Sequence, residues 1–127
     1  MDIEVVQEQA AVPVTVLRLS GDLASEEPLL SQARSAHQEG ARHLLLDLSE
    51  VPFISSAGLR AIHQIFDLYR DVDAATVRQG ISTGSYKSAH VKLLKPSKNA
   101  RKALDVAGYD MFLEIHQDYR QALQSFE

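Results

Sequence analysis

The chain has 127 residues, a formal net charge of -4 and no cysteine. That length suits one domain, residues 1–127, and a chain of about this size buries roughly two thirds of its unfolded-state surface, enough to hold a core without staples. Disulfides, thiolate metal sites and cysteine nucleophiles are excluded, the mild acidity argues against a nucleic-acid partner, and the acidic start "MDIEVVQEQAAVPVTV" with no apolar run near the roughly 20 residues of a membrane span points to a soluble, cytoplasmic protein.

The segments "IEVVQEQ" and "VTVLRLSG" read as strands rich in β-branched and aliphatic residues, with Pro13 at the start of the second and Ser20-Gly21-Asp22 ending it in turn chemistry. The next segment, "SEEPLLSQARSAHQEG", reads as a helix. Ser25 is its expected cap, Glu26, Glu27 and Pro28 occupy its first turn, and Leu29, Leu30, Ala33 and Ala36 share one stripe. Gly40 is its expected stop.

"HLLLDLSEV" is almost continuously apolar, the pattern of a strand buried on both faces of a helix-covered sheet. After "PFISSAG", the run "LRAIHQIFDLYR" places Leu59, Ile62, Ile65 or Phe66, and Tyr69 on one side and Arg60, His63, Gln64, Asp67 and Arg70 on the other. Residues 71–89 are polar, carry two glycines and form a long connection of the kind that is often functional or mobile. "HVKLLKP" reads as a strand. "SKNARKALDVAG" reads as a helix capped by Ser97, with Ala100, Ala103, Leu104 and Ala107 on one face before Gly108. "MFLEIH" reads as a last strand, and "DYRQALQSF" as a last helix with Tyr119, Ala122, Leu123 and Phe126 on its apolar side. The order β-β-α-β-α-β-α-β-α predicts an α/β fold: a mixed, mostly parallel sheet packed with helices.

The candidate site is "VPFISSAGLRAI", residues 51–62, where a buried strand gives way to a helix. Ser55 or Ser56 can accept a hydrogen bond from the otherwise unpartnered first amides of that helix, and Gly58 permits close backbone approach. A hydrolase nucleophile would require Gly-x-Ser-x-Gly, and the first glycine is missing around Ser56. None of the five histidines, His37, His43, His63, His90 and His116, has the context of a base. No phosphate-binding glycine loop, dinucleotide fingerprint or metal-ligand spacing occurs, so no cofactor is expected. A further alternative, beside the reading in which the serines only cap the helix, is a serine that receives a phosphate. The new group brings about -1.5 to -2 charges and three acceptor oxygens, its own helix start tolerates them, and a docked partner does not.

The stretch "LLLDLSEVPFISSAGLRAI" resembles the central signature of STAS domains, the anti-sigma factor antagonists of bacteria. "VLRLSGDL" is similar to the second strand and acidic turn of that family, and "NARKALDVAGYDMFLEI" to its penultimate helix and last strand. The resemblance implies a non-enzymatic partner-switching module in transcription regulation. The unphosphorylated form binds an anti-sigma factor that is also a serine kinase, phosphorylation releases it, and a separate serine phosphatase resets the switch.

Carried over by position, Ser56 is the phospho-acceptor, with Ser55 the alternative. Asp22, Ser55, Ser56, Gly58, Leu59 and Arg60 are the expected partner-binding residues. Ser55 stands where many members have aspartate, Ala57 where they have a second serine, and Ala24 replaces a second acidic residue of the turn. Residues 71–89 exceed the usual family length. These departures keep a second reading open, a STAS scaffold or ligand-sensing module that works without phosphorylation. A homodimer, through a strand edge or the last helix, is compatible with either.

Overall fold

A computed structural model describes residues 1–70 and 88–126 of the chain. Strand β1 (Asp2–Gln9) pairs antiparallel with β2 (Pro13–Ser20), and β3 (Leu44–Glu50), β4 (Val91–Leu94) and β5 (Glu114–His116) follow in parallel, giving the sheet order β1-β2-β3-β4-β5. Four α-helices lie among the described residues: α1 (Leu29–Gln38), α2 (Ser56–Arg70), α3 (Lys98–Val106) and α4 (Tyr119–Gln124). The mixed, mostly parallel α/β sheet expected from the alternation is what forms. The expectation for residues 71–89 falls almost wholly outside the described residues.

From β2 onward each parallel strand lies beside the previous one, always stepping the same way across the sheet. Right-handed crossovers then deliver successive helices to the same face. Accordingly α1, α2 and α3 share one core with Leu17, Leu19, Leu44, Leu46, Leu48, Val91 and Leu93. The opposite face is left for α4, whose Ala122 and the following Phe126 pack with Val14, Val16, Leu45 and Leu94. Strand β3 is the shared floor: Leu44 and Leu46 face one core and Leu45 the other, all fully buried, which accounts for its unbroken apolar run. Tyr69, also fully buried, donates from its hydroxyl to Ala33 O at 3.1 Å and ties α2 to α1; burial pushes its phenol up to about 12.

Three expected details change. Ser25 does not cap α1, which begins at Leu29 after Pro28. The Ser25 hydroxyl instead donates to Glu27 O at 2.7 Å, closing a turn, and the Glu27 carboxylate accepts from the Ser31 amide at 3.2 Å. A carboxylate reaches forward over the Pro28 step and takes the place of the serine. The last strand is also shorter than "MFLEIH", because Tyr109–Met111 form a 3-10 turn first. Ala107 is exposed rather than on the buried side of α3. Gly40 does end α1: at φ +107° it lets its amide reach His37 O and the Ala41 amide reach Ala36 O, the paired bonds that close a helix C-terminus.

Candidate functional site

The loops after β2, β3 and β4 converge at the carboxyl edge of the sheet, where open α/β sheets commonly place their binding sites. Past β2, Leu23 forms an isolated parallel bridge with Ile54. Its amide donates to Phe53 O at 2.9 Å, and its carbonyl accepts from the Ser55 amide at 2.9 Å. The turn carrying Asp22 is thereby laid against the two serines, which lie more than thirty residues further along the chain. Asp22 itself is exposed.

The serines divide the work. Ser55 occupies the cap position of α2: its Oγ accepts from the Gly58 amide at 3.2 Å and donates to Leu23 O at 3.3 Å. Ser56 is the first residue of the helix, is exposed, and its hydroxyl makes no hydrogen bond among the described residues. Of the two serines that could cap the helix, Ser55 alone does so. Ser55→Ala is expected to cost about 1 kcal/mol of stability, the usual value of a cap, whereas Ser56→Ala should stay within about 0.5 kcal/mol. Urea unfolding of the two variants, followed by circular dichroism, measures the contrast; equal losses would contradict this division.

Gly58 is buried under the Leu23 turn. A Cβ built there lies 2.3 Å from Leu23 O, 2.8 Å from Leu23 Cγ and 3.1 Å from a methyl of Ile54. Leu59 is half-buried and packs on the first core, while its carbonyl accepts from the Tyr109 hydroxyl at 2.8 Å. Arg60 is exposed but not merely solvated: its Nε lies 3.3 Å from Glu26 Oε1, the same oxygen that accepts from Gln64 Nε2 at 3.3 Å. Glu26 thus fastens the loop before α1 to the outer side of α2.

Beside Ser56 runs an open groove of about 660 Å³, between the start of α2 and the flank of α3. Phe53, Leu59, Ala103 and Val106 supply its apolar lining, and Phe53 and Val106 are 51% and 81% exposed. The Ser97 hydroxyl pins α3 to the loop after β3, donating to Val51 O at 2.8 Å while capping α3 at Ala100 N. The groove escaped the sequence reading, although Val106 carries a legible signal: a large apolar residue outside the buried stripe of its helix.

Among the described residues no histidine meets either serine. His63 faces Asp67 at 3.3 Å, His90 meets Arg42 O at 2.9 Å and His116 meets Glu114 at 3.0 Å. No cluster of three metal-ligating side chains forms among the described residues, and none of their helices is long and apolar enough to cross a membrane.

These features define a small α/β domain whose helices α1 to α3 cover one sheet face and whose candidate site is an open groove at the sheet's carboxyl edge. The chain belongs to the STAS domain family, whose profile matches residues 3–82, more than half of its length. No curated protein sequence matches it significantly. Solved structures similar in fold include the following three. An anti-sigma factor antagonist from Mycobacterium paratuberculosis has a TM-score of 0.68 at 19% identity, covering 98% of this chain and 94% of that one. The phosphorylated form of the Bacillus cell fate determinant SpoIIAA has a TM-score of 0.67 at 16% identity, covering 99% and 100%. The unphosphorylated anti-sigma factor antagonist SpoIIAA has a TM-score of 0.64 at 15% identity, covering 94% and 92%.

Proposed function

We propose that this protein is an anti-sigma factor antagonist, a non-enzymatic switch that binds an anti-sigma factor with serine kinase activity and is released when Ser56 is phosphorylated. The observation that carries this reading is the inequality of the two serines. Ser55 is held by Leu23 O and Gly58 N, so modifying it would dismantle the helix cap. Ser56, one residue on, offers an exposed hydroxyl beside an exposed apolar groove. Membership of the STAS family and the antagonist neighbours support the same role.

In the covalent step Ser56 Oγ bonds to the γ-phosphorus of a nucleoside triphosphate held by the kinase. The bond from that phosphorus to the β-phosphate bridging oxygen breaks, the hydroxyl proton passes to a base of the kinase, and nucleoside diphosphate leaves. A phosphatase returns the hydroxyl by delivering water to phosphorus and releasing inorganic phosphate. Asp22, Ser55, Gly58, Leu59 and Arg60 frame the partner surface: Gly58 by setting α2 against the Leu23 turn, Leu59 by lining the groove, Arg60 through its hold on Glu26.

Mass spectrometry of the protein from growing and stressed native cells tests the assignment. A phosphate on Ser56 whose occupancy changes with condition is the expected result. Ser56→Ala should retain partner binding and Ser56→Asp should weaken it by roughly tenfold or more, the loss expected from a charge placed in a contact that was neutral. Equal binding by both variants, with no phosphate in either culture, would overturn the switch and leave a phosphorylation-independent scaffold.

A further inference from the structure

The groove beside Ser56 has an electrical character that its apolar lining does not suggest. Among the described residues its one charged lining residue is Lys102, on α3, accompanied by Asn99, and none of them brings a carboxylate to it. The neighbouring Arg101 is committed to Asp105 at 3.0 Å, whereas Lys102 is exposed and enters no ion pair among the described residues. A cation and an amide donor therefore sit across the same groove as the exposed Ser56 hydroxyl.

We propose that a phosphate on Ser56 docks within the chain, across this groove, on Lys102 and Asn99. The proposal rests on Ser56 being the phospho-acceptor and adds what becomes of the phosphate afterwards. A phosphoserine extends its three acceptor oxygens beyond the hydroxyl position, and the flexible four-carbon stem of a lysine can bring its ammonium to meet them. The groove walls are held at both ends, by Ser97 Oγ on Val51 O at 2.8 Å and by the Tyr109 hydroxyl on Leu59 O at 2.8 Å. Docking thus needs side-chain movement and no rearrangement of helices. With the phosphate seated there, the apolar strip of Phe53, Leu59 and Val106 is bridged by the protein's own groups. Phosphorylation then acts twice, adding charge at Ser56 and drawing a side chain across the surface a partner would use.

The test uses the full chain with phosphoserine installed at position 56 during translation, so that no kinase is needed. Phosphorus NMR follows the titration of the phosphate monoester, whose second pKa ordinarily lies near about 6. Lys102→Gln is expected to raise the titration midpoint by roughly 0.3–0.5 unit at low ionic strength, with the difference shrinking as salt is added, and Lys102→Arg should restore it. The Asn99 side-chain amide signals should shift between the unmodified and the phosphorylated chain. Thermal melts check that the exposed substitutions leave the fold intact. A midpoint that Lys102→Gln does not move, together with unmoved Asn99 signals, overturns the docking. The proposed function fails by a different observation, an absence of phosphate on Ser56 in native cells.

Discussion

Gly58→Val is expected to cost about 3 kcal/mol or more of stability, and Gly58→Ala about 1–2 kcal/mol, values at the upper end for overpacking. The sign for alanine is the informative part. Replacing a helical glycine by alanine normally stabilises by about 1 kcal/mol, because alanine loses less backbone entropy. Here the added Cβ would lie 2.3 Å from Leu23 O, a backbone carbonyl that is itself holding the Ser55 amide and the Ser55 hydroxyl. That atom cannot swing aside as the tip of a flexible side chain could. Either the first turn of α2 lifts off the Leu23 turn or the Leu23–Ile54 bridge opens, and both responses spoil the seat of Ser56. For a domain near this size a loss of 1–2 kcal/mol corresponds to a drop in melting temperature of roughly 4–10 °C. Denaturant and thermal unfolding of both variants decide the matter. A Gly58→Ala protein as stable as the parent would show that the contact yields without cost.

Lys92→Met should destabilise the protein by about 2 kcal/mol, the range for leaving buried polar partners unmatched, reduced because one of those partners is wet. Lys92 is 3% exposed, an unusual position for a lysine. Its ammonium donates to Ser125 O at 2.9 Å and to Ser125 Oγ at 3.0 Å, lies 3.3 Å from a Glu114 oxygen, and sits 4.9 Å from the centre of the Phe126 ring. Helix α4 has six residues, too few to be stable alone. It is held at its start by Asp118 capping Gln121 N and at its end by Lys92, which places a cation where the helix dipole favours one.

Methionine keeps the apolar stem and removes the charge, so the loss isolates the polar anchor from the packing. Hydrogen exchange should rise first in residues 119–126, ahead of the main core, because α4 alone loses a tether. A Lys92→Met variant with unchanged stability and unchanged exchange in that segment would rule out the anchoring role. Lys92→Ala should cost more, since it also empties the space beside Phe126.

Much of this molecule is written locally. The unbroken apolar run of Leu44, Leu45 and Leu46 announces a strand covered on both faces, and the spacing of Ile62, Ile65 and Tyr69 announces one buried side of α2. Ser97 and Gly40 declare the ends of their helices, because caps and left-handed stops depend on atoms three to five residues away. The alternation of strands and helices, read with those marks, determined the fold class, and the central motif determined where the candidate site would lie.

Tertiary structure decided what the segments do to one another. As candidates for capping α2, Ser55 and Ser56 are equivalent in sequence; they differ because Leu23 O, 32 residues earlier in the chain, takes the hydroxyl of the first and leaves the second exposed. Gly58 reads as a point of close backbone approach, but only the fold shows that the Leu23 turn is what lands on it. Arg60 looks like a solvated charge until Glu26 is brought beside it, and Lys92 resembles an exposed strand residue until α4 folds over it. Capping, periodicity and turn chemistry act over about one helical turn, so a sequence displays them directly. Which side chains meet across the sheet is set by the crossovers, whose contacts join residues distant along the chain and exist only once the chain has folded.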